Sequence, residues 1–185
     1  MKNKGWGRTV LSVYNYLGTV TNAIDKVVKA RALNSFYYNS TSYGYNDIYS
    51  ISEHIISLTE RKINLINLKL VCEKILGKMK NEHARLLISA FIDKRRAVDT
   101  AKYLNISLRS YFRKMKIALE TFNIELNKLG YTDSYLYKTF RDECWIMDVK
   151  EKFDEEDNFV LETISIQKVY NDYNFTHQVH SNLIF

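Results

Sequence analysis

No proline occurs in this chain, and only 6 of its 185 residues are glycine, so almost nothing in it interrupts helical backbone. Leu, Ile and Lys are abundant throughout, and apolar residues recur at steps of three and four, which predicts an all-α fold. From Thr9 to Leu33 the seam is Val10, Val13, Leu17, Val20, Ile24 and Val27. Gly18 within it costs about 1 kcal/mol of helix stability relative to Ala and admits a close helix crossing. The segment Asn34 to Tyr45, rich in Ser, Asn and Tyr, breaks the period and reads as a loop whose tyrosines either pack on the helices, the safer expectation, or stack on bases. Asn46 or Asp47 then caps a second helix with Ile48, Ile51, Ile55, Leu58, Leu65, Cys72, Leu76 and Met79 on one side. Unbroken from Asp47 to Leu76 it would run about 45 Å, and the charged residues Glu60 to Lys62 mark where it would break. Two seams of similar phase imply an antiparallel helical hairpin, or a homodimer made by pairing them. Gly77 and the polar run Lys78 to Glu82 close the second helix.

The next stretch, Ala84 to Phe122, carries the most specific pattern. It reads as a short apolar helix (Ala84 to Ile92), a basic connector (Asp93 to Arg96), a second short helix (Ala97 to Leu104), the turn Asn105-Ile106-Ser107, and a long helix from Leu108. Two helices joined by a tight turn, the second with a basic face, is the helix-turn-helix plan of a DNA reader. Ala101 falls at the closest crossing, where a small side chain is needed, and Leu104 and Ile106 bracket the turn and point inward. Asn105 is the non-glycine residue that best tolerates a left-handed conformation. Ser107 is placed to cap the following helix, along which Leu108, Tyr111, Met115, Leu119, Phe122, Leu126 and Leu129 form a buried stripe. Arg109, Arg113 and Lys116 share another face, with Ser110 and Lys114 beside them. By position Ser107, Arg109, Ser110 and Arg113 suit base edges, and Lys102, Lys114, Lys116, Arg95 and Arg96 suit phosphates.

The residues ARLL, F-x-D, AKYLNIS, RK and AL in this order resemble region 4 of bacterial sigma factors and the sigma-like regulators of low-GC bacteria and their phages. The resemblance covers about a fifth of the chain. It implies double-stranded DNA as a partner, RNA polymerase as a second one, and transcription regulation as the role. Thr100 stands where that family usually has a branched aliphatic residue, and Arg95-Arg96 where it usually has a Ser or Thr cap.

Charge distribution points the same way. From Glu151 to the end two lysines face seven carboxylates, a net −5, so with a formal total of +6 the first 150 residues carry +11. A basic body suits a polyanion, whose counterions are released on binding. Cys72 and Cys144 lie far apart with no disulfide or zinc spacing, which suits a reducing cytoplasm. Residues Met1 to Arg8 form a basic arm whose Trp6 either caps the core or touches a partner. The apolar stretch after it is too interrupted for a signal peptide or a membrane span, so no membrane partner is expected.

Beyond Leu129, Gly130 stops the long helix, and Thr132 or Asp133 caps a further one from Ser134 to about Phe153. Asp154 to Asp157 is an acidic break, and Asn158 to Phe185 is an irregular tail, with a short extended piece at Phe159 to Ile166 as one alternative. His177 and His180, three apart, lack a third ligand, His54 and His83 sit in helical stretches, and Asp142-Glu143 reads as a solvated face. There is no phosphate-binding glycine loop, nucleophile elbow or HExxH, so no enzyme, metal or cofactor is expected. The sequence therefore divides into a hairpin platform (1–79), a helix-turn-helix DNA-binding domain (80–130), and a C-terminal helix with an acidic tail (131–185). The function expected is a cytoplasmic, sequence-specific DNA-binding regulator. A helical protein-interaction module and a phage packaging or replication accessory factor are the alternatives.

Overall fold

The computed structural model describes residues 6–38 and 45–156 of the chain. Among these residues the fold is all-α. Helix α1 (Trp6–Tyr38) and helix α2 (Tyr45–Lys78) are followed by α3 (Asn81–Leu87), which runs directly into a single π turn (Ile88–Ile92). Then come α4 (Ala97–Tyr103), α5 (Leu108–Lys128), α6 (Asp133–Phe140) and a last helix, α7, over 144–156. Helix α2 is continuous through Glu60 to Lys62, so the expected break does not form. Those charges have places outside the core: Lys62 reaches Asp25 at 2.6 Å and Arg61 reaches Glu143.

Helices α1 and α2 lie antiparallel, because Tyr14 donates to Glu73 and Lys62 pairs with Asp25, so positions rise along one as they fall along the other. Their seam is apolar. Val10, Val13, Leu17 and Ile24 of α1 are buried with Leu65, Leu68, Cys72, Ile75 and Leu76 of α2. Val27, assigned to that seam by its spacing, is exposed. The same cluster continues without interruption into Leu86, Leu87, Ala101, Tyr111, Ala118, Phe122, Leu126, Leu136, Phe140 and Ile146. Trp6 is buried in it, and the Gly7 amide donates to Asn123 Oδ1 of α5 at 2.8 Å. The N-terminal Trp thus packs into the core as part of α1. The loop expected over Asn34 to Tyr45 is shorter: residues 34–38, none of them Gly or Pro, continue α1, and α2 begins at Tyr45, so Asn46 and Asp47 lie inside that helix instead of capping it; residues 39–44 and those from 157 onward lie outside the described residues.

Several boundaries differ from the sequence pattern for local reasons. Gly77 does not take a left-handed conformation; the extended backbone of Lys80 (φ −54°, ψ 132°) separates α2 from α3. The single helix expected from Ser134 to Phe153 is two helices, α6 and α7, with a turn over Arg141 to Glu143. Glu143 causes the interruption to be useful: it is buried, accepts from Arg61 Nη2 at 2.7 Å and from Trp145 Nε1 at 2.8 Å, and so ties the turn to α2. It is not the solvated acid that its neighbour Asp142 is. The acidic run beginning at Asp154 does not end α7, which continues through residue 156 while Asp154 accepts from Lys150 one turn earlier.

Candidate nucleic-acid interface

The turn between α4 and α5 is built by backbone bonds that the sequence permits at each step. Asn105 takes a left-handed conformation (φ +53°), which ends α4. Its amide then donates to the Lys102 carbonyl at 3.0 Å, and the Ile106 amide donates to the Ala101 carbonyl at 2.9 Å. This pair of bonds is a Schellman motif, and it satisfies carbonyls that the helix end would leave unpaired. Ile106 and Leu104 pack against the core, and Ala101 is buried at the crossing. Ser107 caps α5, its Oγ accepting from the Ser110 amide at 3.2 Å while donating to Ser110 Oγ at 3.0 Å. Gly130 (φ +86°) ends α5 with the same motif, the Tyr131 amide reaching the Leu126 carbonyl at 3.0 Å.

Tyr111, Ala118, Phe122 and Leu126 fix the rotation of α5 by their burial. Leu108, expected in that buried stripe, is 43% exposed because it precedes the first turn that the other helices cover. The opposite side holds Arg109, Arg113 and Lys116 in one exposed row, at steps of four and three. Among the described residues none of these three, nor Arg96 or Lys102, has a carboxylate within ion-pair distance. Lys114 is placed differently. It bonds Glu82 of α3, and the ammonium holds that carboxyl below its ordinary range, chiefly through the hydrogen bond. Ser107 and Ser110 bond each other at the cap, so of the four residues assigned to base edges Arg109 and Arg113 are the two that have no partner among the described residues.

The structure adds residues that the charge pattern did not single out. Phe112, beside the cationic row, is 58% exposed, with its ring edge-on to Tyr111 at 5.2 Å between centroids. An aromatic edge there suits a thymine methyl group. Tyr103, at the last turn of α4, is also exposed, and the guanidiniums of Arg95 and Arg85 stand 4.3 and 5.7 Å from its ring. Those distances are within cation–π range. Arg95 also lies 3.7 Å from Asp93. An exposed aromatic beside the basic connector was the available signal for this cluster, but Arg85, on α3 and 18 residues before Tyr103, joins it only through the fold. Arg95, Phe112 and Lys116 line one open cleft of about 560 Å³, together with Arg8 and Phe153. Arg8 stacks on Phe153 at 3.9 Å and pairs with Glu156 at 2.8 Å.

Helix α1 holds the connector before α4. Asn15 Nδ2 donates to the Ile92 carbonyl at 2.7 Å, and Lys94, itself left-handed at φ 53°, donates to the Tyr16 hydroxyl at 2.8 Å. The π turn is closed by the Asp93 amide on the Ile88 carbonyl at 2.9 Å. These bonds orient the short helix α4 and so the turn into α5.

Among the described residues no group of three or more His, Cys, Asp or Glu is arranged to hold a metal ion, and no helix is long and apolar enough to cross a membrane. His177 and His180 lie outside the described residues. Comparison with protein-family models, with curated proteins and with solved structures finds no match.

Proposed function

We propose that this protein is a cytoplasmic, sequence-specific double-stranded DNA-binding regulator of transcription that reads the major groove with the N-terminal half of α5. The observation that carries the reading is the row Arg109, Arg113 and Lys116, exposed and without carboxylate partners among the described residues, on a helix whose start is set by a tight turn after α4. A recognition helix needs its first turns uncovered and its orientation fixed by the preceding helix. Arg109 and Arg113 have the length and donor geometry for guanine, at about 1–3 kcal/mol of discrimination each. Arg96, Lys102 and Lys116 suit phosphates, as does the Arg95–Tyr103–Arg85 cluster. Lys114, held by Glu82, contributes less than its sequence position suggests.

A single head of this size reads few base pairs, so useful affinity requires a second copy on a neighbouring half-site or a partner such as RNA polymerase. Selection of bound duplexes from a random pool tests the reading. One recovered motif is the expected result; a pool that stays random after repeated rounds overturns it.

One observation favours a second reading, a protein-binding module. Phe112, Ile117 and Ile124 are all exposed on α5, which is more apolar surface than phosphate contact requires. Binding to a protein partner through these side chains would show little of the steep salt dependence that DNA imposes.

A further inference from the structure

The core-facing side of α2 is fully used: Leu65, Leu68, Cys72 and Ile75 are buried beneath it. On the opposite side a second apolar line runs along the same helix. Tyr49, Ile56, Ile63 and Leu70 stand at intervals of seven residues and are 69, 57, 50 and 54% exposed, and Ile66, three residues beyond Ile63, lies beside them. Single exposed apolar residues are ordinary, but a straight line of them over about 30 Å of helix is one of the two rows of a helix-pairing seam, whose other row here is Ser52, Thr59, Ile66 and Glu73.

We propose that this outer face of α2 is where two copies of this chain pair, antiparallel, about a two-fold axis near Ile63. The charges beside the line choose both the occupant and its direction. Glu53 and Glu60 are exposed on the N-terminal half, and Lys74 and Lys78 on the C-terminal half. An antiparallel two-fold brings like flanks together, with Glu53 opposite Lys74 and Glu60 opposite Asn67, whereas a parallel two-fold turns opposite flanks together and leaves Glu53 and Lys74 apart. The charge pair Glu53–Lys74, with its symmetry copy, forms in the antiparallel direction alone. The lysines on the other flank do not oppose this arrangement, because Lys62 is bound to Asp25 and Lys69 lies 5.8 Å above the Tyr14 ring, both turned toward α1. An interface of this kind is isologous and closes at two copies.

The inference does not depend on DNA binding, since association is read on the protein alone. Sedimentation of the full chain over a range of concentrations is expected to show a monomer–dimer equilibrium. Ile56→Glu with Ile63→Glu, both at exposed sites, is expected to give monomer throughout with unchanged helix content. Glu53→Lys should weaken the dimer about tenfold, and adding Lys74→Glu should restore it. With a spin label at Ser50→Cys in a Cys144→Ser background, Cys72 being buried, antiparallel pairing places the labels about 40 Å apart, and parallel pairing within about 20 Å. A chain that stays monomeric at every concentration, a dimer indifferent to the paired Ile→Glu changes, or the short distance would each overturn the proposal.

Discussion

Replacing Thr100 by valine should stabilise this protein, and the size of the gain follows from one atom. Thr100 is fully buried in α4, directly beneath the turn, and its Oγ1 has no hydrogen-bond partner among the described residues. A hydroxyl taken from water without a replacement bond costs about 1–3 kcal/mol. Valine has the same shape and a nearly equal helix propensity, so the exchange of hydroxyl for methyl opens no cavity and strains no rotamer. The net gain expected is about 1–2 kcal/mol, which for a chain of this length raises the melting temperature by about 2–8 °C. Chemical denaturation of the two proteins measures it: the midpoint moves up while the slope is unchanged. A loss of stability of similar size would mean that the hydroxyl is satisfied in solution, and the reasoning from burial would fail.

Gly7→Ala should destabilise the contact of α1 with α5, because a Cβ there would stand 2.2 Å from Asn123 Oδ1 and 3.2 Å from Phe122; a drop of about 1–3 kcal/mol in unfolding free energy is expected, and an unchanged midpoint would contradict the close approach. Native protein should expose one thiol to a disulfide reagent and unfolded protein two, since Cys144 is exposed and Cys72 is buried. Burial also raises the Cys72 thiol above its ordinary value, and burial followed by the Glu73 hydrogen bond raises the Tyr14 hydroxyl to about 12. Both groups are neutral in the fold and ionise more readily once unfolded. Their contribution is complete below the ordinary thiol and phenol range and is lost as the pH rises through it. Thermal stability should therefore decline above about pH 9, and less steeply in Cys72→Ala; a flat profile to higher pH would refute the assignment.

Helices were legible in this sequence because their buried residues repeat on one face, and their ends were legible where one residue does the work locally. Asn105, Ser107, Gly130 and Thr132 each behave as their chemistry dictates: a left-handed Asn, two side-chain caps and a left-handed Gly. What could not be read from the local pattern depends on distant partners. Glu143 looked like a surface acid because its partner, Arg61, is 82 residues away. Helix α2 continues past Glu60 to Lys62 because Glu, Arg and Lys are themselves good helix formers, and two of these charges find partners in Asp25 and Glu143, which the local pattern does not show. The cationic row of α5 was visible as spacing, but the loss of Lys114 to Glu82 and the exposure of Phe112 are set by how α5 is rotated against α3. The outer line of α2 was present in the sequence at intervals of seven, overlaid by the denser seam that packs on α1.

The most direct measurement of the central claim is duplex affinity as a function of salt, for the parent and for Arg109→Ala with Arg113→Ala, on a sequence recovered by selection. The proposed function predicts that affinity for the parent falls steeply with salt. It also predicts that the double variant binds at least about thirtyfold more weakly, with unchanged helix content. Equal affinity of the two proteins for that duplex would contradict the assignment of α5 to the groove.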